Sequence, residues 1–261
     1  MRTTMRTTAL VAGALGAIGA TAGAQDLAGR VRAAGDGTVR LSFAADEGVC
    51  GNGRGNISIR REGRTGQVRQ ADGEWSDECE PGPVRVALDV SRGRVTAVRA
   101  YVGGEWRGRA AADLGEVPAG EATAYLLTLV ESGPRAVAKE AVFPAIIAEG
   151  PEPWERLLAI AKDETRPQEV RSSAVFWVGQ GAADAATAGL QELVDADGDR
   201  EVREAAIFAI SQRPKDESVP ALIRIARTQR DPRLRRTAVF WLGQSRDPRA
   251  LAYFEDVLFG K

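Results

Sequence analysis

The stretch Val170–Gln180 reads VRSSAVFWVGQ, and it recurs as VREAAIFAISQ at residues 202–212 and as LRRTAVFWLGQ at residues 234–244. Each copy begins 32 residues after the one before it. A fixed period of this length is typical of α-solenoids, in which helix pairs stack on their neighbours. Such arrays generally present a surface to a partner and rarely carry out chemistry. The repeat therefore predicts an α-solenoid with a binding role, and it leaves the partner unidentified.

The same spacing extends the array upstream of these copies. One apolar position in the second helix of each pair is filled, every 32 residues, by Leu158, Leu190, Leu222 and Phe254. Gly-Pro pairs at residues 133–134 and 150–151 separate three further expected helices over residues 118–132, 135–148 and 151–164. The sequence thus predicts a helical array over residues 118–261.

Aspartates define the helix starts within the array. Asp231 precedes Pro232, which is the arrangement of an N-cap residue before a proline in the first helical turn. Asp199 occupies the same register, and each aspartate has an arginine four residues later. Salt bridges Asp199–Arg203 and Asp231–Arg235 are therefore expected, each worth roughly 0.2–0.5 kcal/mol.

The pattern Val-Arg-x-x-Ala-x-x-x-Leu-Gly, followed by x-Ala-Leu-x-x-Leu, is visible from Leu234-Arg235 to Leu242-Gly243 and then in Asp247-Pro248-Arg249-Ala250-Leu251. It resembles HEAT repeats of the phycobilisome-lyase type, closely over residues 168–261 and weakly over residues 118–167. That family includes chromophore lyases, scaffolds and a di-iron hydroxylase. The hydroxylase would need His-Glu ligand pairs, and this chain contains no histidine. The resemblance therefore implies the fold and does not carry over that activity.

Residues 25–117 have the alternation of β-strands. Val39, Leu41 and Phe43 alternate with polar residues, as do the apolar residues of the stretch 84–90. A short turn, Ser91-Arg92-Gly93, joins that stretch to a β-branched run over residues 95–102, which predicts a hairpin. We expect a small antiparallel sheet or open barrel. The fold class is therefore an α+β chain, with a β-rich module over residues 25–117 before the HEAT-like array.

Residues 1–24 have the composition of a secretory signal. Arg2 and Arg6 precede an apolar stretch of small side chains, ALVAGALGAIGA at residues 9–20, and Ala22-Gly23-Ala24 forms a cleavage pattern. The alternative is a membrane anchor, but a span needs about 20 apolar residues. We expect cleavage, no membrane span in the mature chain, and a periplasmic or extracellular location.

Export favours a disulfide between Cys50 and Cys79, the two cysteines of the chain. A redox-active pair is the alternative, and it normally requires close spacing such as Cys-x-x-Cys. The bridge would close a loop of about 30 residues. In the chain-entropy treatment, closing a loop of this length stabilises the folded state by roughly 3–4 kcal/mol. We expect a structural bridge.

Charge within the expected disulfide loop is segregated. Five arginines come first and five acidic residues follow: Arg54, Arg60, Arg61, Arg64, Arg69, then Asp72, Glu74, Asp77, Glu78, Glu80. The favoured interpretation is two solvated hairpin arms that attract each other across the turn. The alternative is an acidic or anionic partner held by the arginine side.

The absence of histidine and the formal charge of −1 limit the classes of function that the chain could have. Histidine is the usual general base at neutral pH and the commonest metal ligand, so Ser-His-Asp and Cys-His chemistry are excluded. Two cysteines are too few for a thiolate zinc site. A near-neutral chain gives no reason to expect nucleic acid as a partner. We therefore expect no enzyme activity, no cofactor and no metal.

A phenylalanine recurs on one side of the first helix of each repeat. On a wheel of about 100° per residue, Phe176 falls about 240° from the buried Val170, roughly opposite the apolar stripe. Glutamines follow one turn later, so the candidate partner-binding strip contains Phe176, Phe208, Phe240, Gln180, Gln212 and Gln244. The alternative is that the phenylalanines pack between repeats or against the β module.

These observations predict an exported, non-catalytic scaffold for protein–protein interaction, with an unidentified protein partner. One alternative is a lyase or chromophore-handling protein of the phycobilisome-lyase type. The other is a structural protein of the cell envelope.

Overall fold

The computed structural model describes residues 26–61, 64–69, 79–150, 153–180, 185–196 and 198–260. The leader expected at residues 1–24 and the acidic residues Asp72, Glu74, Asp77 and Glu78 lie outside these ranges. Within them the strands are β1 (Gly37–Phe43), β2 (Val49–Gly51), β3 (Asn56–Arg61), β4 (Arg64–Arg69), β5 (Glu80–Pro81), β6 (Val84–Ser91), β7 (Arg94–Tyr101) and β8 (Ala112–Glu116). The helices are α1 (residues 26–33), α2 (Ala119–Ser132), α3 (Arg135–Ile146), α4 (Trp154–Lys162), α5 (Gln168–Gln180), α6 (Ala185–Asp195), α7 (Arg200–Ser211), α8 (Lys215–Thr228), α9 (Pro232–Gln244) and α10 (Pro248–Phe259).

The first sheet has the strand order β7-β6-β1-β8. β1 pairs antiparallel with β6, and β6 with β7, whereas β8 lies parallel to β1. The predicted hairpin is β6–β7, and its turn residues Arg92 and Gly93 both have positive φ angles, 51° and 70°. Two consecutive residues of positive φ match the twist of the flanking strands. The expected antiparallel sheet is thus confirmed, with one parallel edge strand added.

The second sheet is antiparallel, in the order β4-β3-β2-β5. The predicted bridge joins Cys50 in β2 to Cys79 just before β5, with Cα atoms 5.1 Å apart. The expected acidic arm lies outside the described residues except for Glu80, so its pairing with the arginine arm stays a prediction. β3 and β4 pair with each other and bring Arg61 opposite Arg64, so both strands of that hairpin come from the arginine-rich stretch.

The first sheet covers one end of the helical array. α3 packs on β7, and a bridge between Ala45 and Ala148 ties the two parts, with the Asp46 amide donating to the Ile147 carbonyl at 2.8 Å. α1 inserts Leu27, 0% exposed, into the same core. The buried residues form one continuous apolar cluster from the strands through the helices. The boundary along the chain therefore differs from the boundary in packing. The helical array begins at Ala119, but its second helix, α3, packs directly on β7.

The remaining helices stack in two layers. α3, α5, α7 and α9 pack in succession in one layer, and α4, α6, α8 and α10 follow one another in the other. The three predicted helix pairs are α5–α6, α7–α8 and α9–α10. Across the described part of the chain, no helix has the length and apolar character needed to cross a membrane.

The N-cap hydrogen bonds expected from the sequence are found at some helix starts and not at others. Asp231 and Asp247 cap α9 and α10, each accepting from the backbone amide two residues on, at 2.8 and 2.9 Å. The Arg249 guanidinium and backbone amide together lower the pKa of Asp247 to about 2. Asp199 stands at the N-cap of α7, but its side chain makes no cap hydrogen bond.

The two expected i, i+4 salt bridges are wrong. Asp199 pairs instead with Arg171 at 2.6 Å, and Asp231 with Arg200 at 3.2 Å, so these ion pairs join neighbouring repeats. Arg203 turns back and donates to the Val194 carbonyl at the end of α6. The other two arginines in that register do the same, with Arg171 bound to the carbonyl of Ala161 and Arg235 to the carbonyls of Gln229 and Arg230. A helix leaves its last four carbonyls without helical partners, so each repeat's arginine satisfies the helix before it.

Candidate partner-binding surface

The aromatic side chains of the first layer touch one another in a continuous line. Phe143 of α3 contacts Trp177 of α5, with ring centroids 5.2 Å apart. Phe176 stacks on Phe208 of α7 at 6.3 Å and an interplanar angle of 10°. Phe208 in turn meets Trp241 of α9 at 5.1 Å. We call this line, which ends at Phe240 beside Trp241, the aromatic ladder: Phe143, Trp177, Phe176, Phe208, Trp241 and Phe240.

The ladder becomes more exposed toward its C-terminal end. Phe143 and Trp177 are buried, at 7% and 8% exposure. Phe176 and Phe208 are half-buried, because each lies against a ring of the following repeat. Phe240 has no following repeat among the described residues and is 56% exposed.

The three candidate glutamines follow the same trend. Gln180 and Gln212 are half-buried, and the Gln212 amide donates to Ser211 Oγ at 3.1 Å. Gln244 is exposed, as is Phe240. The structure thus brings the candidate strip together on one side of the first layer, but only its last pair, Phe240 and Gln244, faces solvent freely. Sequence reasoning missed Trp241 as a member, although it stands directly after Phe240 in the repeat.

Large exposed apolar side chains are concentrated in the last repeat. The members found in the described residues are Val239, Phe240, Leu251, Val257, Leu258 and Phe259. We call this surface of α9 and α10 the open face. Each member has counterparts 32 and 64 residues earlier, which allows a direct comparison of the same position in covered and uncovered repeats.

Val239 and Val257 of the open face have counterparts that are buried in the earlier repeats. Val239 is 38% exposed, whereas Ile207 and Val175 in the same register are 0% exposed. Val257 is 62% exposed, whereas its counterparts Ile225 and Leu193 are 0% and 4% exposed. The open face therefore has the composition of an interface between repeats and not that of a terminal repeat, whose outer side is normally polar.

One position in the second layer differs in chemical character between the last repeat and the earlier ones. Asp195 of α6 pairs with Arg224 of α8 at 2.8 Å, and Arg227 of α8 pairs with Asp256 of α10 at 3.3 Å. Asp195, Arg227 and Phe259 share one register. Phe259 is 72% exposed, so at the last repeat the charged linking position is replaced by an exposed aromatic.

A glycine in α5 shows how closely two neighbouring helices of the first layer approach each other. A Cβ on Gly179 in α5 would lie 2.9 Å from Ala209 Cα and 3.0 Å from Ala209 O in α7. The 2.9 Å distance is shorter than real Cβ contacts allow, so α7 lies closer to α5 than a side chain at residue 179 would permit. Between α7 and α9 the same position is Ser211, so that approach leaves room for a Cβ. Gly243 in α9 is the same position two repeats later, and a Cβ there would meet nothing within 4 Å.

Together, the stacked helix pairs, the 32-residue register and the open face define a solenoid of the kind that binds other proteins. Residues 152–239 and 187–259 match the family model of HEAT repeats. HEAT repeats are therefore found over residues 152–259. No curated protein matches the chain. No group of three or more acidic or cysteine side chains in the described residues could hold a metal ion.

Proposed function

We propose that this protein is an exported, non-catalytic scaffold that binds a partner protein through the open face of its last HEAT repeat. The observation that carries the proposal is the register comparison, in which Val239 and Val257 are exposed where their counterparts are buried. At about 25 cal/mol per Å² of apolar surface, covering such a face is the dominant favourable term in association. The HEAT repeats support this class of function, since arrays of this kind present surfaces to partners.

The geometry of the repeats indicates what kind of surface the partner presents. Inside the array, Gly179 admits a helix whose Ala209 backbone comes to about 3 Å of the position a Cβ would take. Gly243 offers the same close approach at the open face. We therefore propose that the partner contributes an apolar helix, or a helix pair, that lies on α9 and α10 as a further repeat would.

Phe240 is the proposed anchor of that contact. It continues the aromatic ladder through Trp241, at a centroid distance of 5.0 Å, and is 56% exposed. Truncating a central aromatic anchor commonly costs about 2 kcal/mol or more of binding. Phe176 and Phe208 support the anchor by fixing Trp241, and Gln244 supplies a polar group beside it.

Export and the lack of catalysis are parts of the same proposal. The basic, apolar and small-residue segments of residues 1–24 support export. The absence of histidine supports a binding role over general acid–base or metal chemistry. The cystine Cys50–Cys79 fits an oxidising compartment outside the cytosol.

A second candidate function is chromophore handling of the phycobilisome-lyase type, which the sequence resemblance over residues 168–261 supports. Protein purified from its native host would then carry a visible absorption band. A colourless protein that retains a stoichiometric protein partner favours the scaffold.

The experiment is affinity purification of the mature full chain from the native cell envelope, with quantitative mass spectrometry. Wild type is compared with Phe240→Ser and with Lys139→Ser, an exposed control in α3 at the covered end of the array. The proposal predicts one stoichiometric protein that Phe240→Ser loses and Lys139→Ser keeps.

Two results would contradict the proposed surface. Equal recovery of the partner with Phe240→Ser would place binding elsewhere. A purified chain that is a dimer in solution, and that Phe240→Ser makes monomeric, would assign the open face to a second copy of this chain.

A further inference from the structure

A second candidate site lies in the β part, on the side of the first sheet that faces away from the core. β1, β6 and β7 place Arg40, Ala87 and Arg99 side by side, since Arg40 is opposite Ala87 and Ala87 is opposite Arg99. One register further, Arg85 is opposite Tyr101. Successive residues of a strand point to opposite faces, so these side chains share a face while Val39 and Leu41 point into the core.

The segment after β7 folds over this face and forms one wall of a cavity of about 400 Å³. The Trp106 ring contacts two guanidinium groups, with its centroid 4.7 Å from Arg40 Cζ and 5.2 Å from Arg85 Cζ. Arg40 Nη2 donates to the carbonyls of Arg107 and Gly108 at 2.5 and 3.1 Å, which holds the wall in place.

The opposite rim is fixed by a close backbone approach. Gly53 N donates to the Val102 carbonyl at 2.8 Å, and Gly104 N donates to Glu80 Oε2 at 3.0 Å. A Cβ on Gly53 would lie 2.8 Å from the Gly103 carbonyl oxygen, and Gly53 has a φ of 69°, so glycine is required there. The cavity is therefore bounded by ordered backbone on both sides.

Positive charge dominates the lining. Among the described residues, six arginines line the cavity and Glu105 is the one carboxylate that does: Arg40, Arg54, Arg85, Arg99, Arg107 and Arg109. Arg99 is neutralised by Asp89, which it contacts at 2.7 and 2.8 Å. Arg54, Arg107 and Arg109 are exposed and form no ion pair with the described residues.

The buried Arg85 and the buried Nε of the half-buried Arg40 show that this charge is held at a cost. Arg85 is 5% exposed and donates to the Gly103 carbonyl, and burial lowers the pKa of its guanidinium. Arg40 Nε is buried and has no hydrogen-bond partner among the described residues. Burying cationic groups without a counter-charge is unfavourable, so a bound anion would relieve this arrangement.

We propose that this cavity binds a small molecule carrying at least two oxyanion groups, phosphate or carboxylate. Guanidinium groups present planar pairs of donors that match both oxyanions bidentately. A volume of about 400 Å³ is within the usual range for small-molecule sites and too confined for a folded partner. This site is independent of the open face, which lies on α9 and α10 at the other end of the array.

The test is isothermal titration calorimetry on the full oxidised chain, with inorganic pyrophosphate and citrate as separate probes at about 100 mM salt, where long-range charge effects are partly screened. Full-length chain keeps the acidic residues 72–78, which lie outside the described residues, so binding is measured in their presence. The variants are Arg54→Gln and Arg109→Gln, whose side chains make no hydrogen bond with the described residues, and the charge-matched control is Arg236→Gln on α9.

The expected result is saturable binding of at least one probe that weakens about tenfold or more in each pocket variant and is unchanged in Arg236→Gln, as loss of a charge-assisted hydrogen bond requires. The stronger probe identifies the oxyanion as phosphate or carboxylate. Absence of binding by both probes would overturn the proposal. So would equal weakening in Arg236→Gln, because that result would mean a diffuse charge effect.

Discussion

The two ends of the helical stack differ in what covers them. At the first end α3 lies on β7, and the buried apolar residues continue without a break into the sheet. At the last end α9 and α10 expose apolar side chains, from Val239 at 38% to Leu258 at 76%. At the registers of Val239 and Val257 every copy of the repeat is apolar, so the contrast there lies in what packs on these positions among the described residues.

This difference shows which part of the array is structural and which is available for binding. A repeat array is stabilised by contacts between neighbours, so each end must be covered or made polar. The β part covers the first end, where α3 packs on β7. The last end keeps the apolar side chains of an internal interface, which is why we place partner binding there.

The largest expected effect is on the unfolding free energy of the β part, which the disulfide closes, while the repeats should be unaffected. Reduction of Cys50–Cys79, or the variant Cys50→Ala with Cys79→Ala, should cost the β part about 3–4 kcal/mol of unfolding free energy. The helical circular dichroism signal should persist through that loss, because the bridge joins β2 to the segment before β5 and touches no helix pair. Chemical denaturation checks this when it is followed at 222 nm for the helices and by hydrogen exchange of strands β1 to β7 for the β part. Loss of both signals in one step at the lower stability would mean that the two parts do not unfold separately.

The next effect compares the inside of the aromatic ladder with its end. Phe208→Ala should destabilise the chain by about 3 kcal/mol, the lower end of the range for phenylalanine truncation, because Phe208 is only half-buried. Phe240→Ala should cost less than about 1 kcal/mol, since little packs on its exposed ring. Thermal and urea melts of the two variants measure the difference. Equal losses would show that Phe240 is a packing residue and not an anchor.

The sequence predicted the repeats well because their signal is local and recurs. The stretch 170–180 and its copies gave α5, α7 and α9, and the hairpin β6–β7 followed from alternation and the turn Arg92-Gly93. β8 was missed because ADLGE has no apolar alternation and its pairing with β1 is non-local. The wheel placed Phe176 and Phe208 opposite the stripe without showing that the rings of successive repeats stack there. A single helix contains no information on the neighbour that covers it, and for the same reason i, i+4 spacing misassigned the partners of Asp199 and Asp231.

A smaller effect tests how tightly the covered end is packed. Tyr125 of α2 is 4% exposed, and burial raises its pKa to about 12. The unfolded phenol titrates near 10, so the stabilisation is complete below about pH 10 and is lost as the pH rises toward 12. Between pH 9 and 11.5 wild type should lose about 2 kcal/mol more unfolding free energy than Tyr125→Phe. Urea melts of both proteins at the two pH values measure this difference. Equal losses of unfolding free energy in wild type and Tyr125→Phe would mean that Tyr125 is accessible to solvent in the folded protein.

The smallest stability effects come from one glycine position at two places in the array. Gly179→Ala should cost about 1–3 kcal/mol, because its methyl group would collide with the Ala209 backbone. Gly243→Ala should leave stability unchanged or raise it by up to about 1 kcal/mol, since nothing lies within 4 Å and alanine is the better helix former. Melting temperatures of the two variants measure these effects, and a destabilising Gly243→Ala would contradict an uncovered α9.

The most direct measurement of the central claim is partner recovery with Gly243→Ala, using the mature full chain as bait and Lys139→Ser as the control. The account predicts a protein at least as stable as wild type that loses its partner, because the added methyl group occupies the space where a partner helix would lie against α9. A variant that is stable and recovers the partner in full would contradict it, and would show that no partner helix lies on α9 as closely as α7 lies on α5.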